Sequence, residues 1–248
     1  MSIYGIKDSA NFTIKYKSGT NKGKIFAYAD YATTTTNEWS SDQVYARSKD
    51  VNAIRWDYNK NSTLAVDMEI FDLRWIAMLA GTDIVKGSKD ILKREVLTLD
   101  ATKKASIKGT PVTGSLSVFK LEDDGLTNGD ELTVDTGYTI STKEITVTNG
   151  AEGDRIVVFY MEFVTDAKSF TIEANKFPEN FEIFADTMIR KTDGEDEFVQ
   201  IHYFNVKPQS AFTITMDASA ITTLSVTFDV LKDTASSDMA EYTIYPNA

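Results

Sequence analysis

The pattern of apolar and polar positions is clearest over residues 63–81. Leu64, Val66, Met68 and Ile70 alternate with Thr63, Ala65, Asp67 and Glu69. That period of two predicts a half-buried strand. At Asp72 the period changes. Leu73, Trp75, Ile76 and Leu79 recur at helical spacing, Asp72 fits an N-cap, and Gly81 fits the left-handed position after a helix. The spacing predicts a short helix over about 72–80, entered from a strand without a loop.

Almost every other periodic segment is a strand. Residues 1–23 read as a mobile loop because of Gly19, Gly23 and several lysines, and 24–30 as a strand. The Thr/Ser/Asn-rich stretch 33–42 reads as loop, within a longer loop over 33–50. Residues 51–58 read as a strand, and 59–62 as the turn of a hairpin leading into the strand at 63. Residues 91–99 are a strand by β-branching and alternation, with helix left open. Beyond residue 100 come short strands at 115–121, 131–134, 144–148 and 155–163. Asp124-Gly125, Asn128-Gly129 and Asn149-Gly150 stand between them as turn signals. Further strands are expected at 169–173, 181–184 and, after a turn at Asp193-Gly194, 197–206. A closing hairpin would pair Phe212, Ile214 and Met216 with Leu224, Val226, Phe228 and Val230. Thr213, Thr215, Thr223, Ser225 and Thr227 would take its opposite faces. Pro111, Pro178, Pro208 and Pro246 all fall outside these strands, which permits long ladders.

Composition narrows the chemistry. The 248 residues allow one large β domain, or one domain with an insertion. No run approaches the roughly 18 apolar residues of a membrane-spanning helix, and the N-terminal segment has no secretory pattern. There is no cysteine, so disulfides, thiolate metal sites and cysteine nucleophiles are excluded; the absence fits assembly in a reducing cytoplasm. The single histidine, His202, rules out multi-histidine metal sites within one chain. The net charge of −11 argues against a general nucleic-acid binder. Charge is also uneven: residues 1–114 hold 17 basic and 13 acidic residues, whereas 115–165 hold three and ten. Beyond solvated surface, that asymmetry suggests a subunit whose basic end meets an acidic end of its neighbour.

Candidate catalytic motifs fail one by one. The run Gly19-Thr-Asn-Lys-Gly23-Lys24-Ile25 is one residue short of a P-loop and lacks the Ser or Thr that reaches magnesium. The acidic runs Glu122-Asp123-Asp124 and Asp193-Gly-Glu-Asp-Glu197 match no EF-hand spacing and read as solvated turns. His202 reads as a structural or surface histidine. Trp56 and Trp75 fit core positions, while Trp39 in its polar loop reads as an interface anchor. The chain is read as a non-enzyme with no cofactor and no metal site.

Three segments resemble the major tail tube proteins of tailed bacteriophages. They are the hairpin and helix from Ala53 to Gly81, with Val66-Asp-Met-Glu-Ile-Phe-Asp-Leu-Arg-Trp-Ile-Ala; the run from Ala167 to Thr187, with Phe177-Pro-Glu-Asn-Phe-Glu-Ile-Phe; and the ending from Ala211 to Asp233. The resemblance implies a mainly β fold, a β-sandwich or partial barrel with one short flanking helix. Residues 1–99 and 166–248 would form its core and 100–165 a small all-β insertion. It implies six copies in a ring, with rings stacked head-to-tail into a tube through which DNA passes without specific binding. Other phage tail proteins would be partners, the location the virion tail, and assembly would take place in the host cytoplasm. On this reading Asp57, Asp67 and Glu69 are the lumen-facing candidates, with Thr- and Ser-rich faces as the alternative lining. Trp39, Asp42 and Tyr45 are the inter-subunit candidates. The rival reading is a β-sandwich carbohydrate- or receptor-binding module.

Overall fold

The computed structural model describes residues 3–6, 8–49, 51–214 and 216–246. Its elements are β1 (Tyr4–Ile6), β2 (Asn11–Tyr16), β3 (Ile25–Ala29), β4 (Ala32–Ser48), β5 (Val51–Met68), α1 (Leu73–Leu79), β6 (Val85–Thr98), β7 (Lys104–Ser106), β8 (Ser117–Leu121), β9 (Asn128–Leu132), β10 (Tyr138–Ser141), β11 (Glu144–Val147), β12 (Arg155–Ser169), β13 (Phe181–Lys191), β14 (Asp196–Pro208), β15 (Leu224–Val230) and β16 (Ala240–Pro246). The fold is mainly β with one short helix, and no sheet closes into a barrel among the described residues. The chain divides into two compact units. One runs up to Ile84 and resumes at Phe170; the other is Val85–Ser169.

The first unit is built on one antiparallel sheet, ordered β3-β2-β13-β14-β15-β5-β4, with β1 added to β13 and β16 to β14. β14 is the pivot. Its Val206 to Pro208 end pairs with β15, and its Glu197 to Tyr203 stretch pairs with β16. The same sheet edge therefore serves two partners. Alternation sets that core: Phe12, Ile14, Leu64, Val66, Met68, Ile183, Tyr203 and Phe228 are all buried against one another. The helix closes it with Trp75, Ile76, Met78 and Leu79. Asp72 caps the helix by accepting the Arg74 N–H at 2.9 Å. The Trp75 indole N–H donates to the Tyr31 hydroxyl at 2.9 Å. Gly81 follows with φ +67°, and a Cβ there would lie 2.4 Å from the Phe177 carbonyl oxygen, so only glycine fits.

Several elements differ from the sequence expectation. Residues 11–16 are a core strand and not loop, because Phe12 and Ile14 supply a buried face. Residues 33–48 belong to a 17-residue strand, for which the β-branched threonines are suited. The turn expected at 59–62 is a β-bulge inside β5. Ser40 pairs with Asn61 and Asp42 with Tyr58, so two residues oppose one, and Asn59 takes φ +48°. β5 ends at Met68, leaving Ile70 exposed, and Leu73 is exposed on the helix. Asn128-Gly129 opens a strand instead of a turn. The strand expected at 169–173 is absent: β12 ends at Ser169, and residues 170–180 are irregular. The closing hairpin is also absent. Phe212 and Ile214 pack on the core without strand pairing, Met216 is exposed, and Thr215 lies outside the described residues. β15 pairs instead with β5 and β14. Pro208 and Pro246 terminate β14 and β16. Trp56 is exposed, in contrast to the fully buried Trp75, because its part of β5 has no core to face.

The second unit is a two-layer β module. A sheet ordered β6-β12-β8-β9 and a smaller sheet β10-β11-β7 share a core of Leu99, Ile107, Val118, Tyr138, Ile145, Val147, Ile156, Val158 and Tyr160. This compact unit takes in β6 and the whole of β12. Val85 pairs with Ser169, so the chain enters and leaves the module on adjacent strands.

Candidate assembly surfaces

The β4–β5 hairpin outgrows the sheet that supports it. From Ser62 to Met68, β5 pairs with β4 on one side and with β15 on the other. From Val51 to Asn61 it pairs with β4 alone. Ten or so residues at strand rise give a two-stranded arm roughly 30 Å long. A two-stranded ribbon is marginal by itself in water.

Pairing assigns its faces, since residues directly opposite each other share a face. The bulge changes the parity along β5. Asp42–Tyr58, Val44–Trp56 and Ala46–Ile54 stand on the face that continues into Asn61, Thr63, Ala65 and Asp67. Val44, Ile54, Trp56 and Tyr58 are each about half exposed, at 50%, 53%, 51% and 50%, so this face is an open apolar strip. Trp39, Gln43, Tyr45, Arg55 and Asp57 occupy the other face, which continues into Ser62 and the core residues Leu64 and Val66. The arm therefore separates residues that the sequence grouped. Asp57 lies on the face opposite Asp67, and Asp42 on the face opposite Trp39 and Tyr45.

The polar groups on the arm are satisfied locally. The Trp39 indole N–H donates to Asn37 Oδ1 at 2.6 Å, and the Lys60 ammonium stands 5.8 Å from the Trp39 ring centroid. Arg55 and Asp57 form an ion pair at 3.0 Å. Asn59 Nδ2 donates to Asp42 at 3.1 Å, and the Tyr45 hydroxyl donates to Gln43.

Where β5 joins the sheet, its non-core face is acidic and hydroxylated. Asp67 pairs with Ser225, Ala65 with Thr227 and Thr63 with Asp229. The Ser225 hydroxyl donates to the Asp67 carboxylate. Asp67 is half-buried on this face and Glu69 is exposed just past the strand end, and neither points into the core. The same side of β13 and β14 carries an ionic cluster. Glu182 meets Lys15 at 3.1 Å and His202 Nε2 at 2.8 Å. Burial pushes the Glu182 carboxyl up, but hydrogen bonds from Lys15 and His202 outweigh it and hold it below the usual carboxylate range. His202 lies between Phe184 and Phe204, with both centroids 4.2 Å away, as a packed aromatic residue.

The remaining candidates have structural work. Asp124 caps its turn by accepting the Leu126 and Thr127 N–H groups at 2.8 Å. Asp196 pairs with Arg190, and Glu195 and Glu197 with Lys191. Among the described residues no cluster of three acidic or histidine side chains is placed to hold a metal ion. The Gly19–Gly23 run is the β2–β3 turn, closed by the Tyr16 N–H donating to the Lys24 carbonyl at 3.0 Å. No helix among the described residues is long and apolar enough to cross a membrane. Sequence reasoning missed the arm, because a bulge and a turn share the same Asn-rich signal. It also missed β16, whose alternation of Glu241, Thr243 and Tyr245 with Tyr242 and Ile244 was there to be read.

A sequence model of the YomU/Tube protein family matches residues 4–244. A tail tube protein of Bacillus phage SPR is 27% identical over 242 residues, covering 95% of this chain and 86% of the relative.

Proposed function

The chain belongs to the YomU/Tube protein family, and we propose that it is the repeating subunit of a tube built from six-membered rings stacked head-to-tail around a channel for DNA. As a phage tail tube protein it is a structural component of the virion tail and not an enzyme. The observation that carries the finer reading is the arm: a two-stranded extension with an open apolar strip, which a lone subunit leaves uncovered. In the tube, that strip seats on a neighbouring copy. Trp39 and Tyr45 on the arm's other face, and Asp42 beside the strip, lie at the same contact. Heterologous seating of this kind propagates from ring to ring.

Channel lining belongs to the non-core face of β5 and β15. Over the stretch where the two strands pair, Asp67 and Asp229, set among Thr63, Ser225 and Thr227, present carboxylates and hydroxyls, with no Lys or Arg between Ser62 and Met68 or between Leu224 and Val230. Such a surface repels phosphate and gives DNA no sequence-specific hold. Glu69 continues it at the strand end, while Asp57, on the opposite face of the arm, belongs with the subunit contact. The lateral joints are supplied by the open sheet edges, which ring closure would remove. Other tail proteins would meet the two ends of the stack, and assembly would take place in the host cytoplasm.

Shortening the arm tests this. Residues 42–58 replaced by a two-residue hairpin turn should leave a folded subunit, since the core keeps every contact. Electron microscopy should then find no long tubes. Tubes of normal length from the shortened chain would remove the arm from the assembly.

A further inference from the structure

The four-stranded sheet of the second unit has two free edges, β6 and β9. β9 is acidic, and β6 is of mixed charge, basic on balance. β6 holds Lys86, Lys89, Lys93 and Arg94 against Asp90 and Glu95. Lys86 and Lys93 are committed within the unit, to Asp166 at 3.2 Å and Glu162 at 3.6 Å. Lys89 and Arg94 form no ion pair among the described residues. At the other edge, β9 and the turn before it hold Glu122, Asp123, Asp124, Asp130 and Glu131. None of these five forms an ion pair among the described residues either.

The two edges also match in facing. Arg94 pairs with Phe159, Glu131 with Phe119, and Phe119 with Val157. Phe159 and Val157 are two residues apart on β12, so Arg94 and Glu131 stand on the same face at opposite edges. Between them that face is apolar. Leu92, Val96, Val157, Phe119 and Phe159 occupy it, with the two phenyl rings edge-on at 5.9 Å. The sheet's other face already supplies the module's core. An antiparallel sheet with one solvated side ordinarily alternates apolar and polar. The smaller sheet does so, with Thr139, Thr146 and Lys104 outward. The larger sheet is apolar on both sides and open at both edges.

We propose that the inserted modules of neighbouring subunits join edge to edge, β6 of one copy pairing with β9 of the next. The occupant is a second copy of this chain, because Lys89 and Arg94 on β6 are cations without an ion pair among the described residues, and β9 with the turn before it holds acidic side chains and no cation. Lysines on an edge strand ordinarily discourage pairing between like edges. Here they discourage β6 from meeting β6 and favour β9. The contact is heterologous, so it runs around a ring and continues the apolar face from module to module. It gives the insertion an assembly role, and it rests on the tube reading for the ring.

The absence of cysteine makes the test specific. Arg94→Cys and Glu131→Cys are placed together in the full chain, and tails are isolated from particles carrying it. Laterally paired strands bring Cα atoms to about 4.5–5.5 Å, within the 4.4–6.8 Å that a disulfide spans. On oxidation, a non-reducing gel should show a ladder of covalent multimers ending at the ring number, and each single-cysteine chain should show none. Arg94→Glu should reduce tube yield at low salt at least several-fold, and adding Glu131→Arg should restore it. Normal tubes without a ladder, or tubes indifferent to Arg94→Glu, overturn the edge pairing and leave the tube reading standing. Particles of the unaltered chain without tubes overturn the tube reading and this contact with it.

Discussion

At the scale of single residues, the same side chain has opposite consequences depending on what lies behind its strand or helix. Trp75 and Trp56 both follow apolar periodicity, but one fills the core and the other stands on an arm with no core beneath it. Trp75→Ala should cost about 3–5 kcal/mol in denaturant unfolding. Trp56→Ala should change stability by no more than about 0.5 kcal/mol while impairing assembly; a large loss of subunit stability at Trp56 would show that the arm face is covered within the subunit. The core half of this pattern was legible, because Leu64, Val66 and Met68 alternate without interruption. Past the bulge it was not, because one extra residue changes which parity means which face. That is also why Asp57 and Asp67 looked equivalent in sequence. Glu182 provides a pH signature. Its folded carboxyl is held below the usual range, so its contribution is complete at neutral pH, above the unfolded value, and is lost as pH falls through the folded one. Glu182→Gln should therefore cost about 1–2 kcal/mol at pH 7, and its unfolding curve should converge with that of the parent chain at strongly acidic pH. A difference that persists there would assign the effect to packing.

At the scale of elements, the helix and its caps were readable to within a residue, since capping chemistry is local. Asp72 and Gly81 take the roles their types suggest. Strand partners were less readable, because pairing is decided by contacts distant in sequence. The C-terminal segment alternates well enough for a hairpin, yet β15 finds β5 and β14 while Phe212 and Ile214 settle on the core unpaired. The arm's lack of a third strand is measurable. Backbone amides of Val51 to Tyr58 should exchange within seconds to minutes in the free subunit, while those of Leu64 to Met68 stay protected. In tubes, the arm amides should become protected as well. Equal protection of both stretches in the free subunit would mean that the arm is already covered.

At the scale of the whole molecule, composition pointed the right way early. Absent cysteine, a lone histidine and scarce proline leave little room for catalysis and much for long ladders. β6 and β12 form one long ribbon whose ends at Val85 and Ser169 carry no turn residue, so no local signal in the sequence marks where the compact unit Val85–Ser169 begins and ends. β6 lies within the net-basic residues 1–114 and β9 within the acidic residues 115–165. The central claim is that this chain makes a tube. Negative-stain electron microscopy of the purified protein across a concentration series, with and without isolated tail-tip complex, tests it most directly. The account predicts hollow tubes of stacked six-fold rings. Uniform small particles at every concentration, with tail tips present as well as absent, would contradict it.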